Sequence, residues 1–236
     1  MNHRGPESVM GRNFATGWPA PPAPEIRPLL ASVAGLAASM IMASCAALGA
    51  AAPGEVLFQD DFSRPSSGWD RYDEPGHRAD YLDGVYVIRV DSPNSLAWGT
   101  PHFDLADVRL EVDAHAVDGP LDNAFGLVCR YQDPDNFTFF LVSSDGYSGI
   151  GTVRDGVRTL ISGEAMLPNE AIAQGHAANH LRADCVGSSL SLWINAMLAN
   201  EALISEWSPG DVGVISGTYG EAGVEVRFDN FAIFQP

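Results

Sequence analysis

The sequence predicts an all-β protein, an antiparallel two-sheet sandwich of the jelly-roll kind, and three observations carry that expectation. From Glu55 onward, short apolar or alternating runs follow one another, separated by turn residues. Asp-Gly dipeptides, which tolerate the positive φ angles of tight hairpins, stand at 83–84, 118–119, 145–146 and 155–156. No stretch of the domain sustains a helical period with caps, and 169–175 offers one helical turn at most. Many strands without alternating helices close most simply as two packed antiparallel layers.

The runs, in order, are 55–62, 84–90, 107–116, 124–131, 136–143, 147–153, 179–186, 189–198, 211–217 and 224–234. The run 107–116 shows why they read as strands. Val108, Leu110, Val112, Ala114 and Ala116 fall on one face; Arg109, Glu111, Asp113 and His115 fall on the other. A period of two puts the first set against an opposing sheet and the second toward solvent or a ligand.

The N-terminal part does not read as domain material. Residues 29–52 carry no charge, Arg27 precedes them and Glu55 follows. A basic flank, an apolar stretch and small residues make a secretory signal. The run meets a thiol in Met42-Ala43-Ser44-Cys45, which resembles the bacterial lipobox; the resemblance implies acylation of Cys45 and removal of residues 1–44. The alternative is an uncleaved membrane span, for which the length suffices. Its high Ala and Gly content argues against that, and either reading puts the remaining domain on the extracytoplasmic side of the cell membrane. Residues 45–54 read as a flexible tether and 55–236 as the folded domain. The leader ahead of Arg27 is long and Pro-rich, and a start at Met10 would shorten it.

All 13 basic residues are Arg, against 30 acidic ones, for a net charge of −17. So acidic a surface repels phosphate backbones, which excludes nucleic acid as a partner. Neutral sugars, cations and basic proteins remain, and simple solubility is the plainer reading of the charge.

With Cys45 acylated, Cys129 and Cys185 are the two thiols left in an oxidising compartment, and a disulfide between them is expected. It would close a loop of about 57 residues, worth roughly 4 kcal/mol in the chain-entropy model. The alternative is two separate buried thiols, each acting as a small hydrophobe.

Several blocks then become familiar. N-A-F-G-L-V-C-R-Y-Q-D-P-D-N-F-T-F-F-L-V-S-S-D-G-Y at 123–147 resembles the central hairpins of concanavalin A-like lectin/glucanase domains. D-D-F-S-R-P-S-S-G-W at 60–69, N-H-L-R-A-D-C-V-G-S-S-L-S-L-W-I-N at 179–195, G-D-V-G-V-I-S-G-T-Y at 210–219 and F-D-N-F at 228–231 fit the same pattern. The likeness is to the laminin-G-like and 3-keto-disaccharide hydrolase-like branch, and implies a jelly roll of twelve to fourteen strands with one concave and one convex sheet. Such folds host lectins, glycosidases and structural modules alike.

Within this frame Glu111-Val112-Asp113-Ala114-His115 is similar to the E-x-D-x-E motif of laminarinases and lichenases. Retaining glycosidases need two carboxylates about 5 Å apart, and alternate strand positions would give Glu111 and Asp113 one face. His115 replaces the third acid, so the acid/base role has no occupant and no catalytic residue is assigned. The histidines form no metal-binding spacing, and no G-x-S-x-G elbow or phosphate loop occurs. Trp98, Tyr147, Trp193 and Trp207, with Arg130, are candidates for stacking on and orienting a sugar, while Trp69 and Phe125 read as core. The resemblance further implies a structural calcium, with Asp229 as a carboxylate ligand and Gly84 and the Asp60–Asp61 region supplying oxygens.

These readings converge on a surface-exposed lipoprotein whose lectin-like domain binds glycan or a cell-surface polymer without catalysis. The alternatives are a hydrolase acting on a 3-keto-sugar or glucan, and a protein-interaction or structural module of the envelope.

Overall fold

A computed structural model of the chain describes residues 51–236; the signal segment, the lipobox with Cys45 and the tether as far as residue 50 lie outside the described residues. Sixteen strands follow one another: β1 (Val56–Asp60), β2 (Tyr72–Glu74), β3 (His77–Leu82), β4 (Val85–Val90), β5 (Leu96–Gly99), β6 (Val108–Asp118), β7 (Asn123–Asp133), β8 (Asn136–Val142), β9 (Tyr147–Arg154), β10 (Val157–Leu160), β11 (Leu167–Pro168), β12 (Ala178–Val186), β13 (Ser189–Ile194), β14 (Met197–Leu203), β15 (Asp211–Thr218) and β16 (Val224–Phe234). A nine-stranded sheet runs β14-β13-β12-β6-β16-β4-β3-β2, with β1 added beside β16; a seven-stranded sheet runs β10-β9-β8-β7-β15-β5, with β11 beside β9. The pairings are antiparallel.

The alternation in β6 works as its sequence demands. Val108, Leu110, Val112, Ala114 and Ala116 are buried between the sheets, while Arg109, Glu111, Asp113 and His115 keep partial exposure on the outer face. The opposing layer supplies Phe125, Leu127, Phe140, Val142, Ile150 and Val214 to the same core. Burying a Leu- or Phe-sized side chain contributes about 1.5–3 kcal/mol, so this interface is the main source of stability.

The seven-stranded sheet is apolar on its other face too. Val128, Phe139, Leu141 and Ile215 form a second buried cluster there, joined by Leu160 and by Met166 from the segment before β11. This explains why β7, β8 and β9 read as nearly continuous apolar runs instead of alternating ones.

Cys129 on β7 and Cys185 on β12 are joined, with Cα atoms 6.9 Å apart, so the expected disulfide ties one sheet to the other. The Asp-Gly signals at 83–84 and 155–156 sit in the β3–β4 and β9–β10 hairpins, with positive φ at both residues.

Several expectations are corrected. The run 189–198 is two strands, because Asn195 and Ala196 both adopt positive φ and reverse the chain between β13 and β14. Strands β2, β3, β5, β10 and β11 lie outside the expected runs, so the count exceeds fourteen. Segment 169–175, which offered one helical turn at most, stays within that limit as a turn closed by Ile172 N donating to Asn169 O at 3.3 Å. The described end of the tether is pinned to the chain terminus: Gly54 N donates to Gln235 O at 2.8 Å. Among the described residues no helix is long and apolar enough to cross a membrane.

Candidate functional site

A cleft of about 950 Å³ opens between the β2–β3 edge of one sheet and the β5 edge of the other. Its apolar lining is aromatic: Tyr72, Trp98, Phe103 and Tyr131. Strand β5 places Trp98 beside β15, and β15 in turn pairs with β7, which carries Tyr131 at its far end. Ring centroids of Trp98 and Tyr131 lie 5.9 Å apart, and Phe137 supports both at 5.3 and 5.8 Å. The Tyr72 hydroxyl donates to the Trp98 carbonyl at 2.8 Å, pinning β2 to β5 across the gap between the sheets. Burial pushes the Tyr72 hydroxyl well above the ordinary tyrosine range and raises the Tyr131 hydroxyl too, so both stay protonated.

Beneath β5, Gly99 is required by close approach. A Cβ there would meet the Tyr86 hydroxyl at 1.9 Å, and that hydroxyl donates to Asp70 O at 2.7 Å.

The polar lining is acidic: Asp70, Glu74, Asp104, Asp133 and Asp211, with Arg71, His77 and His102. Asp211 Oδ1 accepts from Phe103 N and Val212 N at 2.8 Å each, and its Oδ2 from His102 N at 2.9 Å. Burial raises its pKa against the pull of these bonds. Asp70 Oδ2 accepts from Thr100 N and Oγ1 at 3.0 Å, and Oδ1 lies 3.2 Å from His102 Nε2. Both carboxylates therefore act first as staples for the 100–103 turn, where His102 holds a φ of 66°. Arg71 is engaged by Asp80 at 2.6 Å, and His77 pairs with Ser95 Oγ, its pKa lowered by burial.

A second, smaller pocket of about 270 Å³ is lined by Arg130, Thr138, Thr152, Arg154 and Trp207. The Arg130 side chain is 3% exposed. Its Nη2 donates to Gly187 O at 2.7 Å and lies 3.5 Å from Asp107, and the guanidinium stacks 4.2 Å from the Trp207 ring centre. Its Nε and Nη1 find no hydrogen-bond partner among the described residues. Desolvation lowers the Arg130 pKa from its ordinary value.

The residues expected to bind a sugar are thus dispersed. Trp98 lines the cleft; Arg130 and Trp207 line the smaller pocket. Tyr147 packs against the second apolar cluster. Trp193 lies over Arg182 at 5.0 Å on the nine-stranded sheet. Tyr72, Phe103 and Tyr131 belong with Trp98, although none was picked out from the sequence. Trp69 and Phe125 are core, as expected.

Glu111 and Asp113 do share a face, the outer one of the nine-stranded sheet. His180 lies 3.7 Å from the first and 2.8 Å from the second. His115 Nε2 is 3.0 Å from His176 O. None of Glu111, Asp113 or His115 lines either cavity.

The registers Phe228↔Tyr86 and Asp60↔Phe231 bring Asp229, Gly84 and Asp61 near the middle of β16, where β1 takes over from β4 as its neighbour. One oxygen of each carboxylate is committed to a local turn: Asp61 Oδ1 to Ser63 N and Oγ, Asp229 Oδ1 to Asn230 N. Among the described residues no three His, Cys, Asp or Glu side chains group as metal ligands. The side chains therefore give the calcium expectation no support beyond this shared location.

No protein-family model matches the chain, and no curated protein matches its sequence. Solved structures do match. A Bacillus subtilis protein with a galectin-like fold is 12% identical, with TM-score 0.59 over 78% of this chain and 97% of its own. A β-glucanase from Bacillus licheniformis is 11% identical, with TM-score 0.55 over 76% and 98%. A GH43 protein from Bacillus licheniformis is 13% identical, with TM-score 0.57 over 75% of this chain, which spans only 39% of that one. At such identities the likeness is one of fold, and together with the two-sheet topology it makes the domain a concanavalin A-like jelly-roll sandwich.

Proposed function

We propose that the domain binds glycan without cleaving it, in the cleft between β5 and the β2–β3 edge. The observation that carries this is the lining: aromatic rings at Tyr72, Trp98, Phe103 and Tyr131 beside carboxylates that accept hydrogen bonds. A ring offers an apolar face to the C–H side of a pyranose, and polar neighbours fix the orientation of the hydroxyls. The volume of about 950 Å³ accommodates more than one sugar unit. That proteins sharing the fold include a β-glucanase and a GH43 protein agrees with a role on carbohydrate.

Supporting the reading that no cleavage occurs are the places of Glu111 and Asp113 and the occupation of two of the five cleft carboxylates. Glu111 and Asp113 lie away from both cavities. Asp70 and Asp211, which do line the cleft, accept hydrogen bonds from the backbone of the loop they hold. A carboxylate so engaged is poorly placed to give or take a proton on a substrate.

A glycan array probed with the full chain tests this reading. Binding at about millimolar affinity or tighter is expected; no binder across the array would overturn it. The lipid anchor is part of the same proposal and rests on the sequence around Cys45. Cys45→Ala should release the protein from the membrane fraction, and retention of that variant would contradict the anchor.

A further inference from the structure

Resting on the glycan reading, we infer that the cleft selects cationic amino sugars over neutral and acidic ones. Five carboxylate side chains line it, Asp70, Glu74, Asp104, Asp133 and Asp211, against one guanidinium and two imidazoles. The guanidinium, Arg71, is already engaged by Asp80 outside the cleft lining, at 2.6 Å. His77 is held by Ser95, and His102 sits between Asp70 and Asp211 at 3.2 and 3.9 Å. The cleft therefore presents a net negative field over an aromatic surface. A ligand with an ammonium group gains from both, since cations are attracted to ring faces as well as to carboxylates. A uronate or sulfated sugar meets like charge and loses. The net charge of −17 extends that preference beyond the cleft.

The positions of the acids fit this selection. Glu74 comes from β2, Asp104 from the turn after β5, and Asp133 from the end of β7, so carboxylates from three separate segments border the same aromatic group. A chain of glucosamine units carries one amine per sugar, and stacking of the rings would set those amines beside the carboxylates. A neutral N-acetyl unit keeps the stacking and forfeits the charge.

Isothermal titration of the full chain separates the outcomes. The probes are a fully deacetylated glucosamine hexamer, its N-acetylated counterpart, a galacturonate hexamer and a hexa-lysine peptide, at low salt and about pH 6, where the sugar amines are largely protonated. The glucosamine hexamer should bind about tenfold or more tightly than the N-acetylated one. Its advantage should shrink as salt is raised through physiological strength. In a Glu74→Gln/Asp104→Asn double variant, which keeps side-chain shape, the affinity ratio should fall severalfold. Equal binding of the two glucosamine forms, or tighter binding of galacturonate, overturns the charge selection while leaving the glycan reading intact. Hexa-lysine binding as tightly as the glucosamine hexamer overturns it too, since the cleft would then read charge and not sugar. If none of the sugars binds, the glycan reading falls and this inference with it.

Discussion

Arg130 and Tyr131 are neighbours on β7, yet they serve two cavities of opposite character. A bulge at this end of β7, with Arg130 at a φ of 56°, breaks the alternation. Arg130 enters the small pocket, where Trp207 covers it, and Tyr131 faces the large aromatic cleft. Next to Arg130, Cys129 is bonded to Cys185, two residues from the Gly187 carbonyl that accepts from Arg130. One side of the bulge is therefore a fastening between sheets. On the other side rings and carboxylates border open space. A buried cation in a domain of strongly negative net charge is not by itself a binding site; here it belongs to the staple.

The largest effect should come from breaking that staple. A Cys129→Ala/Cys185→Ala variant should lose roughly 4 kcal/mol. For a domain of this size that lowers Tm by roughly 10 °C, read by thermal denaturation. Reductant should do the same to the wild type and nothing to the variant. An unchanged midpoint would mean that the two sheets hold without the covalent tie.

Arg130 sharpens the comparison. Arg130→Ala removes a hydrogen bond, the cation–ring contact and the packing of a buried stem, and should cost about 2–3 kcal/mol. Arg130→Met keeps the stem against Trp207 and deletes the two unpaired nitrogens, Nε and Nη1, so it should fall within about 1 kcal/mol of wild type. Chemical denaturation of both variants gives the answer. If Met is as damaging as Ala, the guanidinium's polar contacts outweigh its desolvation.

On the cleft side, Tyr72→Phe removes the donor to the Trp98 carbonyl and should cost about 1 kcal/mol. Hydrogen exchange should show faster opening of β5 and leave β12 unaffected.

The smallest effect is a pH dependence. Burial lowers the His77 pKa below its ordinary 6.5, so the unfolded state takes up a proton more readily than the folded one. The stability contributed by neutral His77 is present above about pH 6.5 and lost as pH falls through the lower folded value. In His77→Gln the decline of Tm on acidification should be shallower. Identical slopes would show that other groups set the acid limb.

Much of this contrast was out of reach of the sequence, for physical reasons. The inner face of β6 was legible because one periodicity sets five buried positions. The Cys129–Cys185 pair was legible because, with Cys45 set aside, two thiols remained and an even pair suggests a bridge. The strands that build the cleft were not. Strand β5 has four residues, β2 has three, and β3 interleaves Ala79 and Tyr81 with charged residues. The β13–β14 turn hid because Asn195 and Ala196 adopt positive φ without a glycine to mark it. Trp98 was visible as an aromatic, but its companions Tyr72 and Tyr131 depend on which strands become neighbours, and that is a property of topology. The middle of the 123–147 block, in Tyr131-Gln132-Asp133-Pro134, held the one local signal: an aromatic next to turn residues at a strand end.

The central claim is that sugar binds at Trp98 and not at Trp207. Tryptophan emission, followed while glucosamine and N-acetylglucosamine hexamers are titrated into wild type, Trp98→Phe and Trp207→Phe, tests it most directly. The account predicts that Trp207→Phe titrates like wild type and that Trp98→Phe loses about tenfold or more in affinity. If Trp98→Phe binds as wild type does while Trp207→Phe loses the response, the site lies at the Arg130 pocket and the account is wrong.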